Sequence, residues 1–144
     1  MPSDLRLKAM NTIHRTMLKA TGGKAGWNLI GMPVVELTTT GRKSGLARSV
    51  MLTSPLQEGA TVVVVASRGG DDKAPAWLHN IEADPAVEVA MHGGPRKPWT
   101  ARVATTQERA RMWPVLTAKH KNYAGYQRKT AREIPLVLLE PVKP

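Results

Sequence analysis

The sequence predicts a mainly β, α+β fold in which short antiparallel strands form a small barrel or sheet with few helices. Two observations support this class. Strand-type runs are short and are separated by glycine- and proline-rich turns, and helical periodicity is confined to three segments. The order is helix, three strands, short helix, two strands, helix, strand, which differs from the βαβ alternation of parallel sheets. A length of 144 residues is that of one domain, so we assign 1–144 to a single unit.

The first helix is predicted within residues 1–22, because Met10, Ile13 and Met17 recur at helical spacing and Gly22 follows its end. The pattern leaves two interpretations open: a helix that packs on the core, and a basic amphipathic segment that contacts lipid headgroups. We favour the first.

The barrel is predicted to occupy residues 34–142. A β-branched run begins at Thr61, as is typical of a buried strand, and Pro75 stands at the start of a short helix, where its missing N–H costs nothing. Pro114 is expected to break or kink the last helix. The predicted strands cover 34–40, 46–56, 61–66, 86–91, 99–105 and 134–139, and the predicted helices cover 75–83 and 107–120.

The chain is strongly basic, with 21 Lys and Arg against 11 Asp and Glu and a formal net charge of +10. Eight of these cations but only two of the acids lie within the first 50 residues. This excess indicates an anionic partner: a nucleic acid, a membrane surface, or a phosphorylated or carboxylated small molecule.

Several kinds of site are excluded. The chain contains no cysteine, which excludes disulfides and thiolate catalysis and suits a reducing cytoplasm, and its four histidines lack the spacing of metal ligands. We therefore predict no metal site. No G-x-G-x-x-G, P-loop or G-x-S-x-G motif is present. If the protein is an enzyme, a bound cofactor is expected to supply its reactivity.

The segment "GRKSGLAR", residues 41–48, has the composition of an anion-binding loop between two strands. Its glycines allow backbone N–H groups to converge, Ser44 adds a hydroxyl donor, and Arg42, Lys43 and Arg48 add charge. The alternative is a solvated hairpin turn whose cations only maintain solubility, and the loop alone does not decide between them.

Two further segments add weaker signals. Ser67 and Arg68 follow the buried strand and precede the helix that carries Trp77, a position that favours an anion or an aromatic ligand, although an isolated tryptophan is more often part of a core. Tyr123 and Tyr126, the only two tyrosines, are predicted to lie in a loop where they could stack on a planar ligand.

Taken together, "LTTTGRKSGLAR", "VVVASRGG" with the following "APAWLHNIEADPAV", and "YAGYQ" before "IPLVLLEP" resemble the deazaflavin-dependent nitroreductase family. The resemblance covers residues 34–141 and implies a split β-barrel that uses coenzyme F420, a deazaflavin with a phosphate and an oligoglutamate tail. It implies hydride transfer from the reduced deazaflavin to an enone, quinone or nitroaromatic acceptor. Thr53 and His120 stand where nitroimidazole-reducing relatives carry tyrosine, so nitroreduction is the activity it supports least.

The resemblance also implies the site. Tyr123, Tyr126 and Ser67 would serve the chemistry as hydrogen-bond or proton donors, with Tyr123 also close to the deazaflavin ring. The remaining cofactor-binding residues would be Arg42, Lys43, Ser44 and Arg48 for the phosphate and tail, Ser49, Val50, Met51, Leu52 and Thr53 along the next strand, Val65, Ala66, Ser67 and Arg68 at the ring, and Ala76, Trp77, Leu78, His79 and Asn80 as a wall.

Other functions remain open at this point. An FMN-binding split barrel would share the phosphate loop, and a non-catalytic carrier of lipids or small ligands would share the fold. We expect a small-molecule electron acceptor and no nucleic acid, because no nucleic-acid-binding motif accompanies the charge. We expect a cytoplasmic protein, with contact at the inner face of the plasma membrane through the first helix as the alternative. The sequence leaves monomer and homodimer open.

Overall fold

The computed structural model describes residues 28–29 and 32–142, and the helix expected at 1–22 lies outside them, as does any membrane contact through it. Eight strands and three α-helices are described. The strands are β1 (Asn28–Leu29), β2 (Met32–Thr40), β3 (Ala47–Thr53), β4 (Leu56–Glu58), β5 (Thr61–Val65), β6 (Ala86–Met91), β7 (Lys97–Val103) and β8 (Leu136–Pro141). The helices are α1 (Ala76–Ala83), α2 (Thr106–Lys119) and α3 (Asn122–Arg128), with a 3₁₀ turn at Arg68–Gly70.

All strands pair antiparallel in one sheet, in the order β1-β2-β6-β7-β8-β5-β4, and β3 pairs with β2 outside this path. The long β2–β3 ladder runs from Val34↔Thr53 to Thr40↔Ala47. This arrangement is the predicted split β-barrel. The β2–β3 loop follows the Thr40↔Ala47 pair, at one end of this longest strand ladder.

Ser54 forms hydrogen bonds to both β2 and β5, two strands that are not neighbours in the sheet. Its N–H donates to the carbonyl of Pro33 at 2.9 Å, and its hydroxyl donates to the carbonyl of Val63 at 2.6 Å. The side chain is fully buried. The strand expected over 46–56 is therefore two strands, because the chain leaves β3 at Ser54 and begins β4 on the opposite edge.

The strand alternation of β5 explains its uninterrupted run of valines. Val62 and Val64 pack in a first core cluster with Trp77 and Ile81 of α1. Val63 and Val65 point to the other face, into a second cluster that also contains Met112, Leu116 and Tyr123 from α2 and α3. A strand covered on both faces needs apolar residues at every position.

Two helical predictions differ from the structure. Tyr123 and Tyr126 lie on α3 and not in a loop, because burial of Tyr123 in the second cluster stabilises a seven-residue helix that its own sequence, with Gly125 inside, would not. Pro114 lies inside α2 without ending it, so the expected break is absent, while the alternative of a kink stays a prediction. Both Pro114 and Ala110, whose carbonyl loses its partner, are exposed, so water can satisfy that carbonyl.

No helix in the described part of the chain combines the length and the apolar character needed to span a bilayer.

Candidate functional site

The loop between β2 and β3 has a closed, well-defined backbone. The N–H of Gly41 donates to the carbonyl of Leu46 at 2.8 Å, and the N–H of Gly45 donates to the carbonyl of Gly41 at 2.8 Å. Gly45 has φ +72°, a left-handed conformation that favours glycine. The loop therefore presents its side chains from a fixed turn.

Asn80 of α1 stabilises this loop through side-chain hydrogen bonds. Its side-chain oxygen accepts from the N–H of Arg42 at 3.1 Å, and its amide group donates to the hydroxyl of Thr39 at 3.0 Å. Asn80 and Thr39 are 5% and 2% exposed, so the bond between them is shielded from water, while the bond from Arg42 is partly buried. The resemblance implies that Asn80 belongs to the cofactor wall; in the structure its amide is engaged within the protein.

The donor set of the loop fits a polyanionic group. The side chains of Arg42, Lys43, Ser44 and Arg48 are exposed. Across residues 32–142 no hydrogen bond or ion pair links the two guanidinium groups or the Lys43 ammonium to a protein acceptor. The Ser44 oxygen accepts from the N–H of Leu46 at 3.2 Å, which leaves its proton available to donate. A Cβ on Gly41 would lie 2.6 Å from that oxygen, so an alanine at this position would force the Ser44 hydroxyl to move. Guanidinium, ammonium and hydroxyl donors together match phosphate and carboxylate ligands.

The side chains of β3 divide between two faces, so its residues cannot all face one ligand. Val50 and Leu52 pack against the first core cluster. Met51 lies on the opposite face, buried against Val34. By alternation Ser49 and Thr53 share the face of Met51, while Arg48 shares that of Val50. Alternation along the sequence separates the two faces, but only the tertiary structure shows which of them meets the first core cluster.

Tyr123 is buried, 5% exposed, and lies against the end of β3. Its hydroxyl shares a hydrogen bond with that of Thr53, the oxygens being 3.2 Å apart, and lies 3.6 Å from the sulfur of Met32. Burial raises the pKa of Tyr123, partly opposed by the Thr53 hydrogen bond. The phenol therefore remains protonated at neutral pH.

Tyr126 is half-buried on the same helix. Its ring meets that of Tyr123 edge-to-face at a centroid distance of 5.9 Å, and the Lys129 ammonium lies 5.7 Å from its centroid. Of the two tyrosines it is the more accessible.

The end of β5 leads into a left-handed turn. Val65, Ala66 and Ser67 are buried, and Arg68, with φ 46°, forms an ion pair with Asp71 at 2.8 Å. Ser67 is in the right-handed helical region. A right-handed residue followed by a left-handed one turns successive N–H groups toward one point, the backbone form of an anion nest. The backbone at Ser67–Arg68 thus suits the ligand type that the sequence predicted.

The predicted wall on α1 is mixed. Ala76 and His79 are exposed, and His79 lies 3.5 Å from Glu82. Trp77 and Leu78 belong to the first core cluster, as expected for an isolated tryptophan. Only part of this segment can offer side chains to a ligand.

The segments predicted to form the cofactor site are joined by direct contacts into two groups. Asn80 joins α1 to the β2–β3 loop, as above. Tyr123 joins α3 to β3, and Gly70 packs so tightly on α3 that an added Cβ would lie 2.7 Å from the carbonyl oxygen of Tyr126. The loop after β5 is thereby held against the helix of the two tyrosines.

Sequence reasoning missed Arg132 and Gln127, which hold this second group together. Arg132 donates to backbone carbonyls of the loop after β5, and Gln127 bonds the segment that carries Arg132. Their partners are distant in sequence or are backbone atoms, so the only available signal was an arginine two residues before the last strand's apolar run.

Known proteins resemble this chain in sequence and in fold. The family model described as F420H(2)-dependent quinone reductase matches residues 10–141. An F420H(2)-dependent quinone reductase of Mycobacterium tuberculosis is 35% identical over 131 residues, which are 88% of this chain and 87% of that protein.

Two solved structures share the fold. One, described as an F420-H2 dependent reductase, is 40% identical with a TM-score of 0.65 and covers 75% of this chain and 94% of its own. Another, described as a domain-swapped dimer, is 34% identical with a TM-score of 0.67 and covers 92% and 99%. The chain belongs to the F420H(2)-dependent quinone reductase family.

Proposed function

We propose that this protein is an oxidoreductase that uses reduced coenzyme F420 to reduce a quinone-type acceptor. Family membership supports the reaction class. The observation that carries the proposal is the exposed, cation-bearing β2–β3 loop tied by Asn80 to α1. A phosphate and a chain of carboxylates are the ligand that such a loop attracts.

The residues divide the task of binding. Arg42, Lys43 and Arg48, with the Ser44 hydroxyl, hold the phosphate and the first carboxylates of the tail. The backbone N–H of Ser67, at the turn after β5, offers a further donor. Exposed cations are screened by salt, so we expect this contribution to weaken as ionic strength rises.

The remaining residues serve the reacting end. When bound, the reduced cofactor supplies a hydride. The quinone oxygen that gains charge requires a hydrogen-bond donor and then a proton, and the candidates are the hydroxyls of Ser67, Tyr126 and Tyr123. Tyr126 is the most accessible of these. The raised pKa of Tyr123 keeps its phenol protonated, so it can donate and cannot act as a base at neutral pH.

A fluorescence titration with oxidised coenzyme F420 tests binding. We expect Arg48→Ala and Lys43→Ala each to weaken binding by about tenfold or more, the size of one charge-assisted hydrogen bond. Lys119→Ala, which removes an exposed charge from α2, is the control and should bind as the wild type does. Shortening the glutamate tail should reduce the effect of the loop variants.

Two outcomes would overturn the proposal. One is tight binding of FMN with no binding of the deazaflavin. The other is a dissociation constant that is independent of both tail length and salt. Binding without turnover of any quinone would instead indicate a carrier.

A further inference from the structure

The guanidinium of Arg132 makes four hydrogen bonds to backbone carbonyls of the loop after β5. Its Nε donates to Asp71 at 2.9 Å, and Nη2 donates to Ser67 at 2.9 Å. Nη1 and Nη2 each donate to Ala66 at 3.2 Å. One side chain thus holds both ends of the segment 66–71.

The segment 66–71 needs such support, because its backbone is unfavourable by itself. Arg68 has φ 46°, and Gly69 and Gly70 follow with φ 66° and 84°. A non-glycine residue in the left-handed region costs about 1–2 kcal/mol, and the two glycines give the unconstrained loop many alternative conformations. Because Arg132 engages the carbonyls of Ala66 and Ser67, it fixes the peptide planes that orient the following N–H groups.

Arg132 is itself positioned by α3. The side chain of Gln127 donates to the carbonyl of Arg132 at 2.7 Å and accepts from the N–H of Ile134 at 2.9 Å. Arg109 of α2 donates to the same Gln127 oxygen at 3.2 Å. The loop after β5 is therefore connected through Arg132 and Gln127 to the helix that carries both tyrosines.

We propose that Arg132 is a positioning residue that holds Ser67 and Arg68 in the binding conformation and in register with the tyrosines of α3. The inference rests on the proposed function, since it concerns the same cofactor site. Arg132 does not contact the ligand and acts only through the carbonyls to which it donates. Arg132 contributes pre-organisation. Loss of its hydrogen bonds lowers the fraction of molecules in which the loop after β5 has the binding conformation.

Arg132→Lys tests this without a change of net charge, since an ammonium has no planar fork to reach three carbonyls at once. We expect the dissociation constant for oxidised coenzyme F420 to rise about tenfold, as when one molecule in ten is competent. At saturating cofactor, kcat for quinone reduction should stay within about threefold of the wild type, since the bound state is the same. The matched control is Arg128→Lys, on the exposed side of α3, which should change neither.

Amide hydrogen exchange in the cofactor-free protein gives a second readout. In Arg132→Lys, the amides of Gly70 and Asp71, which donate to the carbonyls of Ser67 and Arg68 at 2.9 and 3.2 Å, should exchange at least about tenfold faster, while those of β8 keep their protection. Binding within twofold of the wild type, or equal loss of protection in β8, would overturn the positioning role. If the wild type itself fails to bind the deazaflavin, the proposed function fails, and the exchange result alone then decides whether Arg132 orders the loop.

Discussion

The hydroxyls of Thr53 and Tyr123 share a hydrogen bond with their oxygens 3.2 Å apart, which fixes α3 to the end of β3. The residues are 70 positions apart in sequence, and the contact forms where Tyr123 enters the second core cluster. It places a protonated phenol beside a strand predicted to line the cofactor.

The Thr53–Tyr123 bond predicts how the tyrosine titrates. Burial raises the pKa of Tyr123 and the Thr53 hydrogen bond lowers it, so Thr53→Val should raise it further. The neutral phenol is favoured in the fold, so its contribution to stability is present below the unfolded pKa of about 10 and is lost as pH rises toward the folded pKa. Phenolate absorbance in a Tyr126→Phe background, which leaves a single tyrosine, measures this directly. A midpoint that falls in Thr53→Val would contradict it.

Gly70 predicts a specific steric effect. In Gly70→Ala the new Cβ would lie 2.7 Å from the carbonyl oxygen and 3.0 Å from the Cα of Tyr126, at φ +84°. Gly59→Ala is the matched control, because its φ is +60° and nothing lies within 4 Å of the added Cβ. We expect Gly59→Ala to cost about 1–2 kcal/mol of unfolding free energy, and Gly70→Ala to cost at least about 1 kcal/mol more. Equal losses of unfolding free energy in denaturant titrations would show that Gly70 is not in tight contact with α3.

Asn80 predicts a link between stability and binding. Asn80→Ala leaves the N–H of Arg42 and the hydroxyl of Thr39 without their partner, which should cost about 1–3 kcal/mol of unfolding free energy. It should also weaken binding of coenzyme F420, because the β2–β3 loop loses its support. Thr39→Val is the control, since it removes one hydrogen bond but retains that of Asn80 to Arg42. If both variants weaken binding equally, the effect is general destabilisation and not loop position.

Glu108 predicts an acid-dependent loss of stability. Arg102, which donates to both carboxylate oxygens, and the N–H of Thr105 lower the pKa of Glu108 from 4.5 to about 2. A lowered folded pKa means that the stabilisation is present above about pH 4.5 and is lost as pH falls toward 2. Because the pair is partly exposed, we expect less than about 1 kcal/mol. The stability gap between wild type and Glu108→Gln should narrow between pH 6 and pH 3, and a constant gap would contradict this.

Much of the fold was predictable because its determinants are local. The valine run from Thr61 and the composition of residues 86–91 predicted β5 and β6 within one residue. The glycine-bounded cations predicted an exposed loop between β2 and β3. These features depend on strand periodicity and turn chemistry, which a short stretch of sequence contains.

Two features required long-range information. The helix α3 is stabilised by packing of Tyr123 in the second core cluster, and its own sequence is too short to specify a helix. Which face of β3 meets the core, with Val50 inward and Thr53 toward Tyr123, depends on its register with β2.

By itself, then, the sequence determined an exposed basic loop whose donors suit a polyanion, and through its motifs the family. The tertiary structure alone decided that Asn80 holds that loop and that Arg132 holds the other, because hydrogen bonds to distant backbone atoms leave no periodic trace in the chain. Charge and turn residues act locally, whereas the alignment of two loops depends on how the whole barrel closes.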